Sequence, residues 1–319
     1  MAVSPAISFA DSHPNTPVPP KVREQVVKIY EEASEKMKLC SPVYASAPRP
    51  KPELDVRFSL PTDLPKEIDA YDPNGLYMRV RASSLRLVSV VNCLLDPTKK
   101  PPSGWQEIPT LTREAAIERA KEYLKILKVE VPPEYKLTEA SFGDLGLQGC
   151  WRVLWRRYSG PYPWDDDSRL WEYVFVDFYE KEGLEVVSAH GCNCPAPRSL
   201  KVKVSKEEAI AKATRYMTRP WYDRRSRVEA KSVVKSVDSC ELRVSAPRWG
   251  ARAERAVMEA MSEGQAPRET RLCWKTDLTL TTIWDYKGKK PVNEDRGYSY
   301  FVWIDAETGA VMRAKYHGI

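Results

Sequence analysis

The sequence contains none of the short motifs that mark the common enzyme classes. Its 319 residues include no His-Glu-x-x-His, no Gly-x-Ser-x-Gly, no Walker loop and no Gly-x-Gly-x-x-Gly. With only 3 histidines, few catalytic arrangements based on histidine can be built. We therefore expect no catalysis and no catalytic residues, and we keep an unrecognised enzyme as an alternative.

Long apolar runs and a strong charge imbalance are also missing. No run approaches the roughly 18 to 20 apolar residues of a membrane-spanning helix, so we expect no membrane span. The net charge is only +6, and lysine and arginine are interleaved with aspartate and glutamate. A nucleic-acid-binding surface usually concentrates its basic residues on one stripe. We therefore expect no nucleic-acid partner.

The 7 cysteines cannot all pair within one chain, because their number is odd. Cys150 and Cys273 occupy equivalent places in two similar stretches of the chain, as do Cys93 and Cys192. Equivalent placement favours packing, since a buried free cysteine behaves as a small hydrophobic residue. The sequence predicts a packing role and leaves open whether one or two disulfides form.

Two clusters of potential metal ligands are present but incomplete. His190, Cys192 and Cys194 lie within five residues, whereas a structural zinc site needs about four ligands. Asp165–Asp167 could offer oxygen ligands to calcium, but three consecutive aspartates are more typical of a solvated hairpin tip. We predict no bound metal and no cofactor.

Three segments of the chain recur in the same order, which is the pattern of a repeated unit. The recurring pairs are Thr112–Tyr123 and Ser205–Tyr216, Cys150–Arg152 and Cys273–Lys275, and Tyr173–Asp177 and Phe301–Asp305. The first pair has the three- and four-residue spacing of an amphipathic helix, with Thr112 and Ser205 as N-caps. The other two pairs alternate as strands do. A weaker third copy is indicated where Val80–Val88 matches the pattern of Ile304–Met312.

These patterns predict an α+β protein built of tandem units, each with one helix packed on a small antiparallel β-sheet. The helices are expected over Lys21–Leu39, after Thr112 and after Ser205. The predicted organisation is a disordered tail over 1–19, a degenerate copy over 20–96, a linker over 97–110, a copy over 111–199 and a copy over 200–319. An inserted amphipathic helix is predicted near 250–263.

The repeated helix, the Cys-Trp-basic strand and the closing segment Val302–Val311 together resemble the PepSY domain and the bacterial proteins that carry it in tandem. The resemblance implies that Gly309 makes a tight hairpin turn, because glycine takes positive φ at little cost. The second copy departs from this pattern with a longer turn, and the first copy lacks both the aspartate and the glycine. The resemblance further implies a non-catalytic module that usually works outside the cytoplasm, and some relatives restrain peptidases.

Large aromatic residues recur at alternate positions in the predicted strands. We assign the intervening valines and Ile304 to the helix-covered face and the aromatics to the opposite face, and Trp151 and Trp155 to one face of the adjoining strand. The candidate binding residues are Trp151, Trp155, Trp171, Tyr173, Phe175, Phe301 and Trp303. Such a row is either a core between units or a binding surface, and the core interpretation is favoured.

The sequence thus predicts a non-catalytic PepSY-like protein that binds a protein or peptide partner, with a protease as one candidate. The alternative is a structural or accessory subunit of a larger cell-envelope assembly. The family resemblance predicts an extracytoplasmic location, although no complete signal peptide is visible, and a cytoplasmic location is the alternative. The oligomeric state and the identity of the partner do not follow from the sequence.

Overall fold

The computed structural model of the protein describes residues 18–47, 54–58, 67–95, 108–143, 149–165, 172–190, 195–219, 221–223, 228–245, 269–285 and 292–318. The chain divides into two compact units. Among the described residues, the first unit contains those up to Arg157 together with 172–190, and the second contains 158–165 and everything from 195 onward. The helix predicted near 250–263 and nearly all of the predicted tail over 1–19 lie outside the described residues.

The elements confirm the predicted α+β class, because helices alternate with groups of antiparallel strands. In chain order they are α1 (Pro20–Cys40), α2 (Pro42–Ser46), β1 (Asp55–Phe58), β2 (Glu67–Tyr71), β3 (Leu76–Arg81), β4 (Leu87–Asn92), α3 (Arg113–Leu127), β5 (Tyr135–Phe142), β6 (Cys150–Ser159), β7 (Tyr162–Pro163), β8 (Tyr173–Tyr179), β9 (Gly183–His190), α4 (Lys206–Met217), β10 (Trp221–Asp223), β11 (Val228–Ser245), β12 (Arg271–Asp285), β13 (Val292–Asp305) and β14 (Val311–Gly318). None of the described helices is long and apolar enough to cross a membrane.

The three predicted helices are confirmed, with their caps. Thr112 accepts a hydrogen bond from the N–H of Ala115 at the start of α3, and Ser205 and Glu208 form a capping box at the start of α4. Tyr216 departs from the prediction, because its spacing assigns it to the apolar stripe of α4 but it is 41% exposed. Directly after α1, Ser41 caps the short helix α2.

The sheet of the first unit joins eight strands in the order β1-β2-β3-β4-β9-β8-β6-β5. On the face covered by α1 and α3, one row of directly paired residues crosses all eight strands, and every residue in the row is apolar. Its members are Val56, Ala70, Met78, Val90, Val187, Val176, Val153 and Ala140. The pairing of β4 with β9 therefore extends one hydrophobic core across the strands that follow α1 and the strands that follow α3.

The second unit contains a five-stranded sheet in the order β10-β11-β12-β13-β14. Helix α4 covers one face, where Ala209 and Ala213 pack against a buried cluster of sheet residues that includes Leu278, Val302 and Ile304. The predicted assignment of Val302 and Ile304 to the helix-covered face is thus confirmed. Among the described residues no helix covers the other face of either sheet, and we call that face the helix-free face.

The hairpin between β13 and β14 has the predicted glycine turn. Gly309 has a φ of 72°, and its N–H donates to the carbonyl of Asp305 at 2.9 Å. The N–H of Asp305 in turn donates to the carbonyl of Ala310 at 2.8 Å. A left-handed residue at this position closes the hairpin, which is the reason that glycine suits it.

The hairpin between β3 and β4 makes the same turn without glycine. Leu85 has a φ of 52° and its N–H donates to the carbonyl of Arg81 at 2.7 Å, while the N–H of Arg81 donates to the carbonyl of Arg86 at 2.9 Å. Leu85 therefore adopts a backbone conformation that costs a residue with a side chain about 1 kcal/mol or more.

A register shift in each final hairpin corrects one detail of the sequence alignment. The shifts follow Arg79 in β3, Asp177 in β8 and Trp303 in β13. When the strands are aligned on the residue before each shift, Asp177 of β8 aligns with Trp303 of β13. The sequence pattern alone aligns Asp177 with Asp305. The two-residue error arises because both strands contain alternating aromatics, so that a slip by two preserves the pattern.

Candidate functional site

The three residues that precede the register shifts all carry polar partners on a helix-free face. Arg79 and Asp177 belong to the sheet of the first unit, and Trp303 belongs to the sheet of the second. A β-bulge changes the direction of a side chain and is common near functional sites. These positions, with their neighbours, define the candidate site in each sheet.

Arg79 is the centre of a charged cluster on β2 and β3. Its Nε lies 2.9 Å from Asp69 Oδ1 and 3.3 Å from Glu67 Oε2. Its Nη2 donates to the hydroxyl of Tyr77 at 2.6 Å, and that hydroxyl donates to Asp69 at 2.9 Å. Glu67 and Asp69 are buried, so the arginine compensates two carboxylates that would be costly to bury alone.

Arg152 and Asp177 form a second ion pair on β6 and β8. The Nε of Arg152 donates to Asp177 Oδ1 at 2.8 Å and its Nη2 donates to Oδ2 at 2.5 Å, which is a bidentate arrangement. The guanidinium carbon lies 5.1 Å from the ring centre of Phe175. Burial raises the pKa of Asp177, and the hydrogen bonds from Arg152 oppose that rise.

Glu185 is buried beside this pair, and its side chain lies next to those of Cys150 and Tyr179. The thiol of Cys150 lies 3.7 Å from Glu185 Oε2. Burial raises the pKa of Glu185 to about 8, and the charge of Asp177 adds to the rise, while Cys150, Tyr179 and Arg152 oppose it. The carboxyl group is therefore protonated in the folded protein at neutral pH.

We expect Glu185 to make the stability of the first unit depend on pH. Its pKa rises from 4.5 to about 8 on folding, so the folded protein binds a proton that the unfolded chain releases. The free energy of unfolding then falls as the pH rises from about 4.5 to about 8, because the folded state must bury the charge. Glu185→Gln should raise stability by roughly 1 to 4 kcal/mol at pH 9 and change it little at pH 5.

Chemical denaturation at a series of pH values measures this effect. The matched control is Glu118→Gln on α3, which makes the same chemical change at a side chain that is 71% exposed. If Glu185→Gln and its parent lose the same free energy of unfolding between pH 5 and pH 9, the raised pKa of Glu185 is wrong.

Trp303 is the centre of the cluster in the second unit. The ring is 1% exposed, and its Nε1 donates to Asp165 Oδ2 at 2.6 Å. Lys275 donates to Asp165 Oδ1 at 3.1 Å and Ser245 donates to Asp165 Oδ2 at 3.2 Å. Asp165 is only 1% exposed, so the prediction of a solvated hairpin tip is wrong for this residue. No pattern in the sequence indicates its three donors, which are 80 to 138 residues away.

Basic groups lie over the aromatic rings of the same face. Lys275 Nζ is 4.0 Å from the ring centre of Phe301, and the guanidinium carbon of Arg313 is 4.6 Å from that of Trp303. Cations at these distances are attracted to the negative face of the ring. The face is therefore suited to an acidic group that binds beside an aromatic residue.

A tyrosine patch lies on the other face of this sheet, towards α4. We define it as Tyr298, Tyr300 and Tyr316. The ring of Tyr316 is 6.1 Å from that of Tyr298 and 5.5 Å from that of Tyr300, and Tyr316 is 48% exposed. Sequence reasoning missed the patch, although Tyr298 and Tyr300 alternate on β13 and could have indicated it.

The structure distributes the predicted aromatic residues of the first unit over both faces of its sheet. Trp151 and Trp155 are 4% and 6% exposed and belong to the core covered by the helices. Tyr173 and Phe175 are half-buried on the helix-free face, with ring centres 5.7 Å apart. Trp171 lies outside the described residues. A role of these residues in binding stays a prediction.

In the second unit, Phe301 and Trp303 share the helix-free face, with ring centres 5.8 Å apart. Phe301 is half-buried and Trp303 is buried. Only Phe301 could therefore contact a partner without a change of structure, and its role in binding also stays a prediction.

The described side chains offer little for metal or thiol chemistry. No group of three or more potential metal ligands is found among them, and the ligand cluster of His190, Cys192 and Cys194 is outside the described side chains. None of the five cysteines in the described part of the chain forms a disulfide bond there. Burial raises the pKa of Cys40 to about 12 and raises the pKa of Cys150 and Cys273 as well, so these thiols are protonated and unreactive.

Comparisons with known proteins find solved structures of low similarity. No family model matches the chain, and no curated protein sequence matches it. The chain is similar to the Bacillus megaterium YpeB C-terminal domain, with 14% identity over 95% of this chain and 99% of that chain and a TM-score of 0.36. It is also similar to an uncharacterised protein from Eubacterium rectale, with 10% identity over 92% of this chain and 82% of that chain and a TM-score of 0.35. Both TM-scores are too low to establish a shared fold.

Proposed function

We propose that this chain is a non-catalytic PepSY-like protein that binds a protein or peptide partner through the tyrosine patch of its second unit, outside the cytoplasm. The sequence resemblance makes a peptidase the first partner class to test. In this proposal the chain consists of three related copies, which begin with α1, α3 and α4. The register shift that each copy has in its last hairpin supports this relation between the copies.

The observation that carries the proposal is the exposure of Tyr316 on an edge strand. Its ring packs against Tyr298 and Tyr300, which holds it in place while 48% of the residue remains exposed. A rigid tyrosine offers a partner a large contact area and a hydroxyl group at little cost in conformational entropy. Within the described part of the chain, β14 pairs only with β13, so its outer edge can also accept a partner strand.

Partner capture from the native source tests the proposal. Tyr316→Ala should reduce recovery of a stoichiometric partner at least tenfold, which corresponds to about 1.4 kcal/mol of binding energy. The melting temperature should stay within about 2 °C of that of the parent, because an exposed ring contributes little to stability.

The matched control is Lys315→Ala, because Lys315 is the exposed neighbour of Tyr316 and points to the opposite face of β14. It should retain partner capture. Equal capture by the parent and Tyr316→Ala would remove the patch from the proposal, and recovery of no stoichiometric partner by the parent would favour a solitary enzyme.

A further inference from the structure

The second unit holds a short hairpin arm whose tip and end differ sharply in exposure. We define the arm as Tyr158–Asp165. Ser159 pairs with Tyr162 across a two-residue turn formed by Gly160 and Pro161, and both turn residues are exposed. At the other end of the arm, Trp164 and Asp165 are buried, with 2% and 1% exposure. The arm therefore continues strand β6 at its start and is buried at its last two residues.

Trp164 and Asp165 contact the edge of β11 through backbone pairing, in the way that an additional strand would. Trp164 forms a parallel bridge with Val244, and the N–H of Asp165 donates to the carbonyl of Val244 at 2.8 Å. Bonds between backbones at a sheet edge recognise an extended chain whatever its sequence. Discrimination must then come from pockets for the side chains.

The pocket for the Asp165 carboxylate is built by three neighbouring strands. Ser245 of β11, Lys275 of β12 and Trp303 of β13 each donate one hydrogen bond, at 3.2, 3.1 and 2.6 Å. Lys275 and Trp303 are direct cross-strand partners, so both donors are held by the sheet and not by the arm. The sheet therefore presents a preformed site for one carboxylate.

We propose that this edge of the second unit is a recognition site for an extended peptide in which an aromatic residue is followed by an acidic one. The arm's own Trp164 and Asp165 occupy the site in the free chain and compete with that peptide. An ion pair of this kind contributes little net stability compared with an apolar contact, but it discriminates against a peptide without the carboxylate, since that peptide cannot accept the hydrogen bonds from Ser245, Lys275 and Trp303. The site lies on the face opposite the tyrosine patch. This inference rests on the proposed function, because both assume that the chain binds a protein or peptide partner. Binding of a peptide at this site can nevertheless be measured separately from partner capture.

An internal occupant lowers the apparent affinity for a free peptide, because the tethered arm competes at an effective concentration of about a millimolar or more. The probe is a labelled peptide with the sequence of residues 158–165, which keeps the hydrogen bond from Trp164 Nε1 to Ser159 Oγ at 3.0 Å, titrated into the full chain. The double variant Trp164→Ala with Asp165→Ala should bind the probe at least tenfold more tightly than the parent. A probe with asparagine in place of the aspartate should bind this variant at least tenfold more weakly, because its amide carries no negative charge for Lys275 and has one acceptor oxygen in place of two.

If the double variant folds as judged by its circular dichroism and binds the probe no more tightly than the parent, the proposal is overturned. Equal binding of the aspartate and asparagine probes overturns the chemistry assigned to the site. Should the double variant fail to fold, hydrogen exchange in the parent decides. A saturating probe should displace the arm and speed exchange of the Asp165 N–H at least fivefold, and unchanged exchange overturns the proposal. Tyr316→Ala should bind the probe like its parent, so loss of partner capture alone leaves this inference standing.

Discussion

Replacement of Trp303 by alanine is expected to lower the free energy of unfolding of the second unit by about 3 to 5 kcal/mol. The indole is among the largest fully buried side chains of the described residues, at 1% exposure. Its removal leaves a cavity on the helix-free face beside Phe301 and Arg313, whose groups lie 5.8 Å and 4.6 Å from the indole ring. The replacement also removes the hydrogen bond that Trp303 Nε1 donates to the buried carboxylate of Asp165, which accounts for about 1 to 3 kcal/mol of this total.

Chemical denaturation measures the loss, with Trp303→Phe as the matched control. Phenylalanine fills most of the cavity and removes only the N–H donor to Asp165, so the control should lose about 1 to 3 kcal/mol. A native-like stability for Trp303→Ala would show that the ring is not part of the folded core. That result would favour a binding role for this face.

The helices and the turns followed from the sequence because both depend on residues close together in the chain. The three- and four-residue spacing over Lys21–Leu39 and the capping residues Thr112 and Ser205 fix the helices locally. The turn at Gly309 is equally local. The equivalent turn at Leu85 has no glycine, and only the surrounding alternation of Val80–Val88, which matches that of Ile304–Met312, points to it.

The joining of β4 to β9 could not be predicted, because it depends on partners that are distant in sequence. The bridge pairs Ser89, Val90 and Val91 with Val186–Ser188, and nothing in either strand specifies the other beyond its apolar alternation. The same limit explains the error at Asp165. Its donors come from three strands that follow it by 80 to 138 residues, whereas its immediate neighbours suggested a solvated tip.

The aromatic residues show a third limit. Alternation correctly grouped Trp151 with Trp155, but it does not tell which face of a strand the helix covers. The cross-strand partners decide that question: Trp155 lies opposite Val174, whose face is packed by α1 and α3. Tyr173 and Phe175 occupy the alternate positions, so they fall on the helix-free face.

Replacement of Gly183 by alanine is expected to destabilise the first unit by about 2 kcal/mol or more, from two separate causes. Gly183 has a φ of 87°, a conformation that costs a residue with a Cβ about 1 to 2 kcal/mol. A Cβ at this position would also overlap the carbonyl oxygen of Cys40 and lie 2.7 Å from the Cα of Ser41. Both neighbours are backbone atoms at the end of α1, held there by the bond from the Ser41 hydroxyl to the carbonyl of Glu182 at 2.6 Å.

Gly143→Ala separates the two causes of this loss. Gly143 has a φ of 74°, and a Cβ added there would have no neighbouring atom within 4 Å, so its replacement carries the backbone cost without the overlap. Chemical denaturation should therefore give a loss of about 1 to 2 kcal/mol for Gly143→Ala and at least about 1 kcal/mol more for Gly183→Ala, because overpacking adds its own cost. Equal losses for the two variants would mean that α1 can move away from β9 at little cost, and the close approach of Cys40 to Gly183 would then not constrain the first unit.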